Sequence, residues 1–314
     1  MDNRAKFSEN LSNLTYGFVG LGLMGGSMAK AIRKFILCDR KNVASHNAEG
    51  KIFACTRKES ALQDAKSQGI IDDYCVLNSD NEESIKKMLG ECDMVFICLP
   101  PKNTIEFLLK NQANFKPGSI VTEIAGVKTG IFKAFPNGID GINFIPGHPM
   151  AGNEREGFAY SDENIFQNRN YIFLPYENTD KEALESFKEA MKLIGFTNLI
   201  VTDWKTHDHK IAFTSQLCHV IASALVDCAE DTQVTQFGGG SFEDLTRIAL
   251  INAPLWTELF CSNKAELIAH IENFEKSLDK LKNQIKTENK EELCATLSEV
   301  RERRAIMAQY MKKR

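Results

Sequence analysis

The sequence holds one histidine between a glycine and a proline, in the stretch FIPGHPMAGNEREGF at residues 144–158. Gly147 and Pro149 flank His148, so the most flexible and the most restricted residue types enclose a side chain that titrates near neutral pH. A strand-like run, Gly141–Ile145, precedes them. The pattern fits either a tight turn at a strand end or an imidazole held in place for acid–base chemistry.

A second group of residues has the spacing of a phosphate-binding loop. In VGLGLMGGSMAKAI, the residues Gly20, Gly22 and Gly25 form a G-x-G-x-x-G pattern between an apolar and an amphipathic run. The first glycine permits a tight turn, the second lets a pyrophosphate approach the backbone, and the third lets the helix pack on the strand. Leu23 and Met24 lie directly before the predicted helix, whose unpaired N–H groups attract phosphate. The loop therefore predicts a dinucleotide-binding site.

The end of the next predicted strand bears on which dinucleotide binds. Sites for NAD place an acidic residue there, which hydrogen-bonds the ribose 2′-hydroxyl. The stretch KIFACTRKES instead offers Thr56, Arg57 and Lys58. A hydroxyl followed by two cations suits a 2′-phosphate, so NADP is favoured over NAD. The alternative is that Arg57 and Lys58 are only solvated surface side chains. Leu99 and Pro100, at the end of a later predicted strand, are expected to line the same cleft.

The surrounding residues alternate between short apolar runs and amphipathic runs, which is typical of a doubly wound, mostly parallel α/β sheet of the Rossmann type. His148 is expected at the carboxyl edge, where such sheets bind their ligands. The predicted strands are Thr15–Val19, Lys51–Thr56, Met94–Leu99, Ser119–Glu123, Gly141–Ile145, Tyr171–Leu174 and Asn198–Thr202. The predicted helices are Gly25–Phe35, Glu59–Gln68, Glu82–Leu89, Thr104–Asn111 and Lys181–Ile194.

After about Trp204 the strand signals stop. The run HDHKIAFTSQLCHVIASALVDCAED is apolar on most faces, and such a helix must be buried in a bundle or against a second subunit. Two more long helical stretches follow it. The sequence therefore predicts a Rossmann-type domain at residues 1–203 and an all-helical domain at residues 204–314, through which the chain forms a homodimer.

The composition limits the classes of function. The chain has 314 residues, of which 25% are charged, and a net charge of −4, so neither nucleic acid nor an anionic membrane is indicated as a partner. The sequence shows no apolar signal segment and no run long enough to span a membrane. Nine cysteines without a C-x-x-C pair predict reduced thiols in the cytoplasm and argue against structural zinc.

Four motifs, in this order, resemble the prephenate dehydrogenase family of tyrosine biosynthesis, which includes arogenate and cyclohexadienyl dehydrogenases. They are GLGLMGGSMAKAIR, GHPMAGNEREGF, LCHVIASALVD and GGSFEDLTRIALINAPLWTELF. The resemblance implies oxidative decarboxylation of prephenate to 4-hydroxyphenylpyruvate, with hydride transfer to NAD or NADP. Positive charge develops at the carbinol carbon as the hydride leaves, and a neutral histidine that accepts a hydrogen bond from the hydroxyl stabilises it. His148 is therefore expected to be the catalytic histidine.

The resemblance also implies cationic groups for a substrate that is a dianion. Arg247 matches the family arginine that grips a carboxylate with two parallel hydrogen bonds, the alternative being an ion pair with Asp244. Ser215 and His219 lie four residues apart on one helical face, and His219 matches an active-site histidine, although a core histidine has the same pattern. The predicted substrate-binding residues are Arg247, His219, Ser215, Glu154, Trp256 and Asp244.

Two of these predicted residues, Trp256 and Glu154, are not expected to bind a substrate carboxylate. Trp256 is expected to wall the substrate pocket, and a tryptophan of the core is the alternative. Glu154 matches an acidic family residue near the substrate, where it would control entry.

The sequence departs from the family pattern at three positions. Gly126 stands where a serine often faces the catalytic histidine, so the backbone or water is expected to orient His148 instead. Gln216 replaces the first histidine of the S-H-x-x-H helix, and Glu243 stands where a basic residue is common. These departures leave the reaction class in place and leave open whether the substrate carries a pyruvyl side chain (prephenate) or an alanyl one (arogenate).

Two other hypotheses remain. The first is a nicotinamide-binding sensor that has lost catalysis, with Gly126 and Gln216 as its marks, although a sensor has no need of His148 and Arg247. The second is a β-hydroxyacid dehydrogenase, which shares the G-L-G-x-M-G opening. Such enzymes use a lysine on a downstream helix, for which Lys210 is the candidate, and they have no use for the H-P-M-A-G turn.

Overall fold

The computed structural model describes residues 11–37 and 49–312, which form two compact units. The first unit runs to His207 and also includes Ile251–Ser262, and the second comprises Asp208–Leu250 and the residues from Asn263 onwards. The predicted domain boundary between residues 203 and 204 stays a prediction. The segment Ile251–Ser262, which the sequence gives no reason to separate from its neighbours, belongs with the first unit.

The first unit is built on a six-stranded parallel sheet with the strand order β3-β2-β1-β4-β5-β6. This is the order of a doubly wound dinucleotide-binding sheet, so the predicted fold class is confirmed. The strand β4 shows why the sequence folds this way: all four of its residues are buried, as expected where helices cover both faces of a sheet. The strands are β1 Thr15–Val19, β2 Lys51–Thr56, β3 Asp73–Val76, β4 Met94–Ile97, β5 Ile120–Glu123 and β6 Asn143–Phe144.

A second, three-stranded sheet of the first unit carries His148. It has the order β7-β8-β9, with β7 antiparallel and β9 parallel to the central strand. Its strands are β7 Gly147–Pro149, β8 Arg169–Phe173 and β9 Phe196–Val201. The sequence predicts β8 and β9 but not β7, and it does not distinguish the two sheets, because strand periodicity contains no information on partners.

Alternation along β4 divides the core of the first unit into two layers. Met94 and Phe96 point to one face of the main sheet, and Val95 and Ile97 point to the other. Phe96 stacks on Phe18 with ring centroids 5.1 Å apart. The helices of this unit are α1 Leu23–Ile32, α2 Glu59–Ser67, α3 Glu82–Glu91, α4 Pro101–Asn111, α5 Thr129–Ala134, α6 Lys181–Leu193 and α10 Ala253–Ser262.

The second unit is helical, as predicted. The predicted continuous helix after Trp204 is interrupted by a π-helical turn at Ala212–Gln216, and helix α11 packs against this turn, against α8 and against α12. None of the described helices has the length and apolar character needed to cross a membrane. The helices are α7 Trp204–Ile211, whose first residues belong to the first unit, α8 Leu217–Asp227, α9 Gly240–Thr246, α11 Lys264–Lys286 and α12 Lys290–Lys312.

Candidate active site

The backbone around His148 is fixed on both sides. His148 is the middle residue of β7 and pairs with Ile172 of β8. Gly147 has to be glycine, because a Cβ there would lie 2.1 Å from the hydroxyl oxygen of Tyr171. The carbonyl of Gly147 accepts a hydrogen bond from the Lys128 ammonium at 2.6 Å. The predicted tight turn is therefore a short strand, and its position leaves the imidazole little freedom to move.

Lys128 belongs to a buried ion pair that joins two strands. Its Nζ lies 2.5 Å from Oε1 of Glu123, and both side chains are 0% exposed. Glu123 ends β5, and its second oxygen accepts a hydrogen bond from the N–H of Ala125 at 2.8 Å. Buried ion pairs are stable only when their remaining donors and acceptors are also satisfied, and the Gly147 carbonyl meets this need here. The pair links β5 to β7, directly before His148.

A second histidine orients the ring of His148. The Nδ1 atom of His148 lies 2.9 Å from Nε2 of His207, which is 2% exposed, and the two rings meet edge to face. The expectation that backbone or water orients this ring is wrong, because the first turn of α7 places His207 within hydrogen-bond distance. His207 is not among the residues predicted from the sequence, because it lies 59 residues away from His148 in the chain. The only signal was its place in the T-H-D-H segment, at the start of the helical portion.

The protonation state of His148 suits a hydrogen-bond acceptor. Burial lowers the pKa of His148 well below its ordinary value, and the charges of His207 and Lys128 lower it further. A cation in this half-buried position would lie near the Lys128 ammonium and a second imidazole and would be poorly solvated. His148 is therefore neutral at pH 7, with one ring nitrogen able to accept a proton or a hydrogen bond.

The other ring nitrogen of His148 faces Gly126. A Cβ at Gly126 would lie 3.8 Å from Nε2 of His148 and 3.6 Å from Cδ2 of Leu259, which are ordinary contact distances. A serine hydroxyl at this position could thus reach the ring, and glycine leaves the space open. Gly126 therefore lies beside the imidazole, at the position where a serine of the family pattern would face it.

Helix α10 closes this side of the first unit. It carries Leu259, and one turn earlier Trp256, which is half-buried and packs on Phe260 with ring centroids 5.4 Å apart. A carboxylate oxygen of Glu258 accepts a hydrogen bond from the N–H of Lys102, at the start of α4, at 2.5 Å. These contacts put the helix of Trp256 beside the carboxyl end of β4. Its role as a pocket wall stays a prediction.

The loop that follows β7 is tied to the start of α10. The side-chain amide of Asn252 donates a hydrogen bond to Glu156 at 2.6 Å. Asn252 also accepts a hydrogen bond from the N–H of Leu255 at 2.9 Å, which caps the helix. Glu154, two residues before Glu156, is exposed. It therefore lies at the surface of the loop, where an entrance residue would be, and its part in substrate entry stays a prediction.

The glycine loop has the geometry that a dinucleotide requires. Gly20 has a φ of +96°, and a Cβ on it would lie 2.5 Å from the carbonyl oxygen of Cys98. A Cβ on Gly25 would lie 2.1 Å from the carbonyl oxygen of Gly20, whereas nothing lies within 4 Å of a Cβ on Gly22. Two of the glycines are thus required by packing, and the third leaves the backbone open to a ligand. Helix α1 starts at Leu23, so the N–H groups of Leu23 and Met24 have no partner within the helix.

The other predicted cofactor residues lie at the same edge of the sheet. β1 is paired with β2 on one side and with β4 on the other, so the ends of all three strands adjoin the glycine loop. Arg57 and Lys58 are exposed between β2 and α2, and Thr56 is half-buried. Leu99 follows β4, and its Cδ2 would lie 3.0 Å from a Cβ on Gly20. Pro100 precedes α4 and is exposed.

The remaining predicted substrate residues belong to the second unit. The Nδ1 of His219 lies 2.9 Å from the carbonyl oxygen of Ser215, and because a carbonyl only accepts, the ring proton is on Nδ1. Arg247 and Asp244 are exposed. Helix α8, with His219, packs against α9 and against the short helical turn that Arg247 begins. The second unit therefore brings the helix of His219 and the turn of Arg247 together.

The departure at Gln216 has a structural explanation. Gln216 is 2% exposed, and its side-chain oxygen accepts a hydrogen bond from the amide of Asn263 at 2.8 Å. The same amide donates to the carbonyl of Asp208 at 2.9 Å. Gln216 is therefore part of a buried polar network of the second unit, which joins its helices.

Known protein families match the two successive parts of the chain. A family profile described as prephenate dehydrogenase, nucleotide-binding domain, matches residues 37–199, and one described as prephenate dehydrogenase, dimerization domain, matches residues 203–299. The prephenate dehydrogenase of Lactococcus lactis is 31% identical over 272 residues, which are 84% of this chain and 69% of that protein. The cyclohexadienyl dehydrogenase of Zymomonas mobilis is 26% identical over 297 residues, covering 92% of this chain and 94% of that one.

A solved structure extends the likeness to the fold. The prephenate dehydrogenase of A. aeolicus, crystallised in complex with hydroxyphenyl propionate and NAD+, superposes with a TM-score of 0.78 at 28% sequence identity. The superposition covers 94% of this chain and 98% of that one. Since two family profiles match in succession and a curated relative is similar over most of the length, the chain belongs to the prephenate dehydrogenase family of oxidoreductases.

Proposed function

We propose that the protein is a prephenate dehydrogenase, which converts prephenate to 4-hydroxyphenylpyruvate and carbon dioxide while a nicotinamide dinucleotide is reduced. The observation that carries the proposal is His148, a neutral imidazole fixed by β7, by Lys128 and by His207, in the unit that also contains an open dinucleotide loop. Family membership supports the same reaction.

The role proposed for His148 follows from the movement of electrons. A nicotinamide dinucleotide held at the glycine loop would supply the acceptor for a hydride from the ring carbon that carries the hydroxyl. The bond between the ring and its carboxylate then breaks, carbon dioxide leaves, and the electron pair of that bond completes the aromatic ring. The hydroxyl becomes more acidic while the hydride departs, so an acceptor at Nε2 of His148 stabilises the transition state more than the ground state. With Nε2 as the acceptor, Nδ1 of His148 carries the ring proton and donates it to Nε2 of His207, and this hydrogen bond holds the ring for this purpose.

The surface beside the glycine loop favours NADP over NAD in this proposal. Arg57 and Lys58 follow β2, where NAD-binding sheets carry an acidic residue. A guanidinium and an ammonium at this position complement a 2′-phosphate and would leave a free 2′-hydroxyl without its usual acceptor. The A. aeolicus structure contains NAD+, so the two family members would differ in this preference.

Arg247 is proposed to bind a substrate carboxylate. Arg247→Gln is expected to raise the KM for prephenate about tenfold or more with a smaller change in kcat, because a hydrogen bond to a charged group contributes about 1.5–3 kcal/mol. Steady-state kinetics over a range of prephenate concentrations measure this effect. Arg301→Gln, at an exposed arginine of α12, serves as the matched control and should leave KM unchanged. An unchanged KM in Arg247→Gln would remove this residue from the substrate site.

A second substrate is supported by specific observations. The Z. mobilis relative is a cyclohexadienyl dehydrogenase, and Gly126 leaves space beside His148 that a serine would fill. Arogenate, which differs from prephenate in its side chain, is therefore the alternative substrate. The order of preference between the two is expected to depend on groups that face the side chain rather than on His148.

One assay tests the proposed function. Purified protein is mixed with prephenate or arogenate, each with NAD+ or NADP+, and the absorbance of the reduced nicotinamide is followed. Turnover that is fastest with prephenate and NADP+ is expected, and a faster reaction with arogenate would make the alternative the function. Binding of the dinucleotide without turnover in all four mixtures would favour the catalytically silent sensor.

We further propose that the chain acts as a homodimer in the cytoplasm. The profile matching residues 203–299 is described as a dimerization domain. Large apolar side chains that are exposed in a single chain are typical of an interaction surface. Light scattering at micromolar concentration should give the mass of two chains of 35.2 kDa each, and the mass of one chain would contradict the proposal. Large apolar side chains of the second unit that are exposed in the single chain include Phe213, Val226, Phe237, Leu245 and Leu250.

A further inference from the structure

Three side chains of the types that bind transition metals meet in the second unit, outside the residues proposed for catalysis. They are His209, Glu266 and His270, and one potential ligand atom from each lies within 4.8 Å of the other two. We propose that these three residues bind a divalent transition-metal ion, with Zn²⁺ as the best match. None of the three is among the residues proposed above to bind the substrate or the dinucleotide or to act in catalysis.

The local structure brings the three groups together. Glu266 and His270 are four residues apart on α11 and therefore share one face of that helix. His209, near the end of α7, reaches the same face: its Nδ1 lies 2.7 Å from Oε2 of Glu266. The Nε2 of His270 lies 3.1 Å from the carbonyl oxygen of His209, and the two imidazole rings are 4.8 Å apart between centroids.

The geometry needs only small side-chain movements to hold an ion. Zinc binds nitrogen and oxygen ligands at about 2.0–2.2 Å, so two ligands of a tetrahedral site are about 3.4 Å apart. Nδ1 of His209 and Oε2 of Glu266 are already closer than this, at 2.7 Å, and an ion between them would separate the two atoms slightly. His270 would have to turn its ring away from the His209 carbonyl, which rotation about its side-chain bonds permits.

The donor set decides which class of ion fits. Two imidazoles and one carboxylate favour zinc and other late first-row metals, whereas calcium and magnesium prefer oxygen ligands alone. The side chains of His209 and Glu266 are 50% and 44% exposed, so an ion can enter from solvent and keep water as its fourth ligand. Phe213, whose ring lies 5.4 Å from that of His270, shields one side of the cluster.

Metal binding would connect α7 to α11 through three bonds that do not depend on packing. Any ion that binds the folded and not the unfolded chain stabilises the folded chain in proportion to its concentration. The expected consequence is a higher melting temperature in the presence of metal. The cluster is not apparent in the sequence, because 57 residues separate His209 from Glu266 and the Glu-x-x-x-His pair alone is common on solvated helices.

Titration of the chelator-treated full-length protein with Zn²⁺ tests the proposal. Isothermal titration calorimetry should show one ion bound per chain in the micromolar range, and the melting temperature should rise on saturation. His270→Ala and the conservative Glu266→Gln should each weaken binding at least tenfold. Glu272→Gln, at an exposed position of the same helix, is the matched control and should leave binding unchanged.

A second measurement identifies the ligands. Cys218, Cys228, Cys261 and Cys294 are exposed free thiols, which also bind metals. Titration with Co²⁺ separates the two cases, because thiolate ligands add an intense near-ultraviolet charge-transfer band that imidazole and carboxylate ligands lack. A visible cobalt spectrum without that band, lost in His270→Ala, is expected. No saturable binding, a thiolate band, or binding that survives both substitutions would overturn the proposal.

Discussion

Replacement of His148 by asparagine should lower kcat by about a hundredfold or more while the dissociation constant of the dinucleotide changes little. Asparagine keeps a polar side chain that can bond to His207, but it has no basic nitrogen to accept the hydrogen bond of the substrate hydroxyl. Steady-state kinetics give kcat, and cofactor titration monitored by fluorescence gives the dissociation constant. Thermal unfolding of the variant shows whether the fold is kept.

The pH dependence of the unsubstituted enzyme supplies an independent check on the same residue. Because the surroundings of His148 lower its pKa, the active neutral form persists as the pH falls through the ordinary histidine value of about 6.5. The acid limb of kcat should therefore lie below that pH. A kcat that hardly changes in His148→Asn, or an acid limb at or above the ordinary value, would contradict the proposed mechanism.

Replacement of Lys128 by methionine should cause the largest loss of stability. The substitution keeps most of the side-chain volume but leaves the carboxylate of Glu123 buried without its cation, which typically costs about 3–5 kcal/mol. Denaturant unfolding of the full-length chain measures the free energy. As a control, Lys188→Met removes one partner of an exposed ion pair with Glu185 and should cost less than about 1 kcal/mol.

The double variant Glu123→Gln with Lys128→Met tests the physical cause. A neutral amide can still accept the hydrogen bond from Ala125, and no buried charge remains, so the double variant should be more stable than Lys128→Met alone. If the two substitutions destabilise additively, the residues are not coupled and the ion pair is not the reason for the loss. The kcat of the double variant would also show how far the link to Gly147 positions His148.

Much of the fold could be predicted because it depends on local patterns. The strands β1 and β2 match their predicted bounds, since each is a short apolar run followed by a turn or a helix start. The strand β3 was missed because it lies at the edge of the sheet and has no fully buried residue. The strand β7 was missed because it has only three residues, two of them glycine and proline.

The site could be predicted only where a motif carries its own chemistry. The glycine loop and His148 were predicted in this way, and the structure gives the loop close backbone packing at Gly20 and Gly25 and open space at Gly22. His207 and the pair of Glu123 and Lys128 were not found, because their contacts join segments that are distant in sequence or in different elements. The sequence pattern does not indicate that Lys128 is fully buried, since lysine is normally a surface residue.

The anchoring of His148, in its proposed catalytic role, has a consequence for the way turnover responds to temperature. A side chain that is ordered by a strand, a buried ammonium and a second imidazole loses little conformational entropy when substrate binds. The ordering cost is incurred once, during folding, and does not recur in each catalytic cycle. Local loosening of the connection between β5 and β7 would therefore slow the reaction at temperatures where the chain as a whole is still folded.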